Sequence, residues 1–434
     1  MSSDSKRRAK SAPSQTTNAL TEESERDLPL KVEMRRLFWS MGCSTRLDVK
    51  LRAYVAGDQR GPGWQEFTDL DVLAVGFSPG GQVHLTLADC KTSKRSAIER
   101  MFWVRGVADF FAANDAYLVR SQTVPAAARA LSARLGVGVL DPGDYRALAR
   151  TFPAELDLTN GPLHWLFDLE TVRRQTNLTG LDRKLDPLIE FIRYDYWIYE
   201  PYRNVTQVIA HLAEAALALD PRNRQHLSIF FEVAWLYAFA LAQTVHRVRS
   251  TRMADVPTAV RTYVAGGELA TREKAQLAEL LHQLGITVNA RTTVMPPYID
   301  PLIELVNRLL VRPAELGEVL RYSEYLTTAA LVGEQATVGA AFGATKVRPI
   351  AAQLVTSICG FLVTAAGLRP EFRTEARERL VVDLTGGVPA SRRGGEAADL
   401  STAPEASGKP ATSDEQLRFP DLAATTNSPK VTTE

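Results

Sequence analysis

Short apolar runs alternate with helical patterns over the first third of the chain. Apolar residues recur at helical spacing over residues 30–41, and Gly42 follows as a C-cap. Ser96 precedes a second helical pattern as an N-cap, and a third follows Pro125. Strands are predicted at 47–55, 69–77, 83–91, 116–119 and 136–140. The resulting order, α-β-β-β-α-β-α-β, favours a mixed sheet flanked by helices.

The second half of the chain is overwhelmingly helical in pattern. Apolar spacing typical of helices covers 204–219, 226–249, 271–284, 299–311 and 314–326, and prolines separate these segments. Both ends of the chain are polar and low in apolar residues, which is typical of disorder. We therefore predict four regions: a disordered arm at 1–28, an α/β domain at 29–150, an all-α domain at 160–385 and a disordered tail at 386–434.

The composition excludes several classes of protein. The 434 residues carry a formal net charge of +1, so the whole chain is not a polycation. The three cysteines are far apart and form no CxxC motif, which argues against a zinc or disulfide framework and favours a reduced, cytoplasmic protein. Two apolar runs, 227–245 and 350–368, approach the length of a membrane span. Glu232 and Gln353 interrupt them, so we predict core helices and no membrane partner.

Charged residues stand at the end of an apolar stripe in the third predicted strand. Residues Val83, Leu85 and Leu87 share a strand face with Asp89 and Lys91, because side chains alternate along a strand. Asp69 and Asp71 likewise share a face of the second strand. Carboxylates this close repel one another unless a cation neutralises them. Their oxygens suit Mg²⁺ or Mn²⁺, and a neighbouring ammonium suits metal-assisted phosphodiester cleavage.

These residues resemble the motif of the PD-(D/E)xK nuclease superfamily, which has the restriction-endonuclease-like fold. The resemblance covers residues 30–148: Asp71 in LDVLAV matches the first motif acid, and Asp89-Cys90-Lys91 matches the D/E-x-K pair. No proline precedes Asp71, a departure from the family's pattern. The resemblance implies that Asp71, Asp89 and the Cys90 carbonyl hold Mg²⁺ or Mn²⁺. It also implies that Lys91 orients the attacking water and that Glu33, on the first helix, supports a second metal or a water.

The expected partner is nucleic acid, with DNA favoured over RNA. Residues 31–150 contain 17 Lys and Arg against 12 Asp and Glu, an excess of five positive charges that suits phosphate contacts. The candidate contact residues follow the motif on or near a helix: Lys94, Arg95, Arg100 and Arg105. Restriction, phage defence and DNA repair are compatible roles, and the helical domain is expected to position nucleic acid, bind a partner or form a homodimer.

Three other interpretations compete with a nuclease. In one, the nuclease fold binds nucleic acid or a protein without cutting. In another, Asp71 and Asp89 only pair with Lys91 and nearby arginines at the end of a strand. In the third, the chain is a helical scaffold protein with an incidental α/β cap.

Overall fold

A five-stranded mixed sheet forms the amino-terminal part of the computed structural model, which describes residues 22–56, 63–93, 96–176, 178, 181–251, 255–284 and 295–382. The strands lie in chain order across the sheet. The first three are antiparallel neighbours, and the third pairs in parallel with the fourth and the fourth with the fifth. The strands are β1 (Ser44–Val55), β2 (Gly63–Phe77), β3 (Val83–Lys91), β4 (Asp115–Arg120) and β5 (Gly138–Leu140).

Four helices accompany the sheet: α1 (Glu22–Ser40), α2 (Ala97–Phe111), α3 (Ala126–Leu135) and α4 (Pro142–Thr151). The predicted element order is confirmed, as are two of the predicted caps. The Ser96 hydroxyl accepts a hydrogen bond from the Glu99 amide at the start of α2. Gly42 ends α1 with a φ of 85°, a conformation that favours glycine. Helix α1 begins at Glu22, well before the predicted start at residue 30, and this extension bears on the site below.

The remainder of the described chain is helical. Residues Phe191–Asp195 form a π-helix, and short 3-10 segments occur at Pro162–Phe167, Arg183–Leu185 and Pro313–Glu315. The α-helices are α5 (Leu169–Thr176), α6 (Asp186–Glu190), α7 (Tyr196–Ile198), α8 (Pro201–Ala215), α9 (Arg224–Ser250), α10 (Val256–Ala265), α11 (Glu268–Gln283), α12 (Ile299–Leu310), α13 (Leu316–Val332), α14 (Val338–Phe342), α15 (Pro349–Ala365) and α16 (Glu371–Arg379).

One hydrophobic core joins the sheet to the helices. Leu73 of β2 and Leu87 of β3 belong to the same buried cluster as Phe230 and Trp235 of α9. All described residues fall within one compact unit. The regions predicted as separate domains, 29–150 and 160–385, therefore share a core. The predicted tail at 386–434, and the arm before Glu22, lie outside the described residues.

Helix α9 lies at the centre of this core. Within the described residues it is the helix that is long and apolar enough to cross a membrane, and 89% of its apolar window is buried in the protein. The apolar sequence is thus accounted for by packing against neighbouring helices. The other predicted apolar run corresponds to α15, which is shorter.

A single buried carboxylate links α13 to both α1 and β1. Glu324 of α13 has no exposed surface. It accepts hydrogen bonds from the Arg35 guanidinium (2.8 and 3.2 Å), the Trp39 indole (3.0 Å), the Ser44 hydroxyl (2.6 Å) and both the amide (2.9 Å) and the hydroxyl (2.6 Å) of Thr45. Both carboxylate oxygens are thereby satisfied, as a buried charge requires.

Replacing Glu324 by glutamine should destabilise the protein strongly. The change leaves Arg35 without its counter-charge and places an NH₂ group where hydrogen-bond donors face the carboxylate. Breaking a buried ion pair in this way costs about 3–5 kcal/mol of folding stability. We expect a large fall in the denaturant midpoint of equilibrium unfolding. Glu304→Gln, on α12, removes only an exposed pair with Arg308 and should change stability by less than about 1 kcal/mol.

The stabilisation by Glu324 should also disappear in acid. Burial raises the pKa of Glu324, but the charges of Arg35 and Arg46 and the hydrogen bonds outweigh burial and lower the pKa. A carboxyl group with a lower pKa in the folded state stabilises that state above its unfolded pKa, and the contribution is lost as pH falls through the folded pKa. The glutamine variant should therefore lose less stability than the wild type on acidification, and an equal loss would contradict this assignment.

Candidate active site

Asp71, Asp89 and Lys91 converge on one face of the sheet. Val72 of β2 lies opposite Ala88 of β3. Because the two strands are antiparallel, Asp71 lies opposite Asp89. The Lys91 ammonium lies 3.0 Å from Asp71 Oδ2 and 3.8 Å from Asp89 Oδ1. The structure thus brings together the three residues that the sequence pattern placed at the ends of β2 and β3.

Strand β1 adds a third aspartate that the sequence analysis missed. Leu47 pairs with Val72 and Val49 with Leu70, which places Asp48 beside Asp71. Three neighbouring strands therefore present an aspartate row, defined as Asp48, Asp71 and Asp89. Asp48 has a φ of 52°, an uncommon left-handed conformation for a residue with a side chain.

Helix α1 covers the aspartate row with charged residues of its own. The Lys31 ammonium lies 2.8 Å from Asp71 Oδ1 and also bonds Asp48. Asp27 accepts hydrogen bonds from the Thr92 amide (3.0 Å) and hydroxyl (2.5 Å), and lies 3.6 Å from Lys91.

Residues 27, 31 and 35 are four apart, so they lie on one helix face. This spacing was visible in the sequence, but the predicted helix began too late to include Asp27.

Cationic side chains around the aspartate row form ion pairs with its carboxylates. Arg100 of α2 binds both oxygens of Asp89, at 2.5 and 2.6 Å, and stacks over Trp103 with 3.7 Å to the ring centroid. The Cys90 amide donates to Asp71 Oδ2 at 2.8 Å. Both oxygens of Asp71 and of Asp89 therefore lie beside a cationic side chain.

Burial and charge separate the pKa values of the two central carboxyl groups. Burial raises the pKa of Asp71, but Lys31, Lys91 and the Cys90 amide outweigh it and lower the pKa below its usual value. Burial also raises the pKa of Asp89, to about 6, with Arg100 opposing and the Asp71 charge adding to the rise. Adjacent carboxylates with such divergent environments are typical of functional sites.

The other predicted residues are distributed differently. Glu33 is exposed on α1 away from the aspartate row, and its backbone carbonyl accepts a hydrogen bond from the Tyr145 hydroxyl at 3.0 Å. Arg105 pairs with Asp109 one turn along α2. Lys94 and Arg95 lie outside the described residues. The position that the resemblance gave to Glu33 is filled instead by Asp27 and Lys31.

The donor set fits a hard divalent cation. Asp48, Asp69 and Asp71 each have an oxygen within 4.8 Å of the others'. Asp48 Oδ2 is buried without a hydrogen-bond partner among the described residues. Carboxylate oxygens are the ligands that Mg²⁺ and Mn²⁺ prefer. The Lys31 ammonium already neutralises Asp48 and Asp71, so a metal ion bound to these carboxylates competes with Lys31.

The metal ligands expected from the resemblance were Asp71, Asp89 and the Cys90 carbonyl. In the structure, Asp71 belongs both to that expected set and to the group of Asp48, Asp69 and Asp71. Asp89 pairs with Arg100.

No family model, no curated protein and no solved structure matches this chain. Support for a function therefore comes from the geometry of the site and from the motif residues.

Replacing Lys31 by methionine should make the protein less stable without metal and more responsive to it. The variant leaves Asp48 and Asp71 without the cation between them, a loss of about 3–5 kcal/mol for buried groups. We expect a lower Tm in EDTA than the wild type has. Mn²⁺ should then raise the Tm of the variant by more than it raises that of the wild type, because metal and ammonium neutralise the same carboxylates.

Lys346→Met serves as the control, because Lys346 is partly exposed and distant in sequence from the aspartate row. Its Tm and its Mn²⁺ response should match the wild type. Equal Mn²⁺ responses in Lys31→Met and wild type would show that metal binds elsewhere.

Proposed function

We propose that this protein is a metal-dependent nuclease that hydrolyses phosphodiester bonds, with DNA preferred over RNA. The observation that carries the proposal is the position of Lys91, whose ammonium lies between Asp71 and Asp89 on adjacent strands. The αβββαβ order around these residues supports it, because the PD-(D/E)xK resemblance rests on the same elements.

Lys91 acts as a positive charge rather than as a base. Burial lowers its pKa, but the charges of Asp71 and Asp89 raise it by more, so the amine stays protonated at neutral pH. An ammonium in this position can hold the attacking water and stabilise the negative charge that develops on the phosphoryl oxygens. Hydrolysis forms a bond from the water oxygen to phosphorus and breaks one ester P–O bond. The water gives up one proton and the leaving oxygen takes one up, so the net change is the addition of one water.

Mg²⁺ or Mn²⁺ would be held by Asp71 together with Asp48 and Asp69, or with Asp89. A metal bound there polarises the phosphoryl group and lowers the pKa of a bound water. Of the four arginines and lysines predicted to contact phosphates, Arg105 is the one among the described residues that remains at the surface. Arg100 is engaged by Asp89 and is better placed as a counter-ion that orients this carboxylate.

The second candidate function is a binding module with the same fold that does not cut. A specific observation favours it: Lys31 and Arg100 already neutralise the carboxylates that a metal needs. In such a module the ion pairs serve stability alone, which is also the purely structural interpretation of the motif.

Asp89→Asn and Lys91→Met should each reduce metal-dependent cleavage by at least about 100-fold, the loss typical when one electrostatic contribution to the transition state is removed. The measurement is the rate of cleavage of single-stranded and duplex DNA and of RNA, with Mg²⁺, with Mn²⁺ and with EDTA. Circular dichroism checks that both variants fold.

Glu99→Gln is the matched control, since Glu99 is exposed at the start of α2, on the same helix as Arg100. It should cut at the wild-type rate. Cleavage by Asp89→Asn at the wild-type rate would refute the assignment of the site. Absence of cleavage by the wild type on all three substrates, with intact nucleic-acid binding, would favour the binding module.

A further inference from the structure

A cavity of about 470 Å³ opens beside the aspartate row, between the sheet and the helical part of the protein. Asp48 and Lys50 of β1, Asp69 of β2 and Gln175 of α5 are among the residues that line it. Its size falls within the range of small-molecule sites, roughly 300–1,000 Å³.

The cavity is continuous with the candidate metal site. Asp48 and Asp69 line it, and both have an oxygen within 4.8 Å of one on Asp71. A ligand in the cavity therefore has one end at the carboxylates that would hold the metal. That end suits a phosphate group, which binds through a divalent cation.

Another part of the lining suits a flat ring. It includes Ile192 and Tyr194 of the π-helix, and Trp197, whose indole donates to the Ile192 carbonyl at 3.0 Å. Aromatic side chains stack on bases of any sequence. Arg46 and Lys50 also line the cavity, where Arg46 pairs with Glu232 and Lys50 with Glu66 and Asp69. π-helices are rare and frequently occur at functional sites. A ring bound in the same cavity as an anion is the chemistry of a nucleotide.

Access to the site excludes an intact duplex. The side chains of Asp71, Asp89 and Lys91 are only 1%, 5% and 15% exposed, and α1 lies over the row through Asp27 and Lys31. A base that enters a closed pocket has to leave the stack of the double helix, whereas an unpaired base is already free to enter.

We propose that this cavity binds one unpaired nucleotide of the strand that is cut, with its base against Trp197 and Tyr194 and its phosphate toward Asp48 and Asp69. The substrate class is accordingly single-stranded nucleic acid or a frayed end. This inference rests on the proposed nuclease function for cleavage but concerns binding, so the two can be tested separately.

The experiment fills part of the cavity with a larger side chain at a lining residue. Gln175→Trp places a large side chain in the space, and Glu170→Trp puts the same side chain on the exposed face of the same helix, outside the cavity. Binding of deoxythymidine 5′-monophosphate to the full-length proteins is measured by calorimetry with Ca²⁺. Gln175→Trp should weaken binding at least ten-fold, and Glu170→Trp should leave it unchanged. Wild-type cleavage of a single-stranded oligonucleotide should exceed that of the blunt duplex at least ten-fold.

Equal nucleotide affinity of Gln175→Trp and wild type, or no detectable binding by the wild type, overturns the proposal. Equal cleavage of the blunt duplex and the single strand also overturns it, while leaving the nuclease assignment intact. Nucleotide binding that is lost in Gln175→Trp, in a protein that cuts no substrate, supports the cavity and refutes the nuclease function instead.

Discussion

The fold depends on the neutralisation of buried carboxylates by one face of helix α1. Arg35 reaches Glu324 at the centre of the helical part, and Lys31, one turn earlier, reaches Asp48 and Asp71 in the sheet. A charge in a low-dielectric interior is tolerated only when it is paired and hydrogen-bonded. Because both pairs start from the same helix face, the position of α1 is fixed by charge as well as by apolar contact. The sheet and the helices are bound together through it.

The same constraint explains why the aspartate row persists in an interior position. Three carboxylates on neighbouring strands repel one another, and removing them from water adds a further penalty. Lys31, Lys91 and Arg100 supply three positive charges for Asp48, Asp71 and Asp89, so the row is neutral as it stands. The carboxylates are thus paired without a metal, and the row retains a donor set of oxygens. A site of this kind can exchange one cation for another, provided that Lys31 can withdraw from the carboxylates.

The sequence predicts the sheet well because its elements are local. Val83–Lys91 and the Ser96 cap follow directly from alternation and from capping chemistry, and Asp71, Asp89 and Lys91 converge as alternation requires. Asp48 was missed because its partner across the sheet depends on the β1–β2 register, which a single strand does not reveal.

The shared core was missed for a related reason. Glu324 lies 289 residues from Arg35 in the chain, and nothing in the local pattern of either helix indicates such a contact. Glu33 shows the opposite error: the resemblance supplied an acid on α1, whereas the helix turns Asp27 and Lys31 toward the site and leaves Glu33 outside.

The helical part of the protein also completes the site. The wall of the cavity facing β1 comes from α5, the π-helix and α9, so the space beside Asp48 exists only because those helices pack on the sheet edge. Arg52 of β1 pairs with Glu190, which precedes the π-helix, and with Asp195, the last residue of the π-helix. An α/β domain alone would leave the carboxylates open to solvent along β1. With the helices in place, Asp48 and Asp69 instead line a cavity of about 470 Å³ between the sheet and the helices.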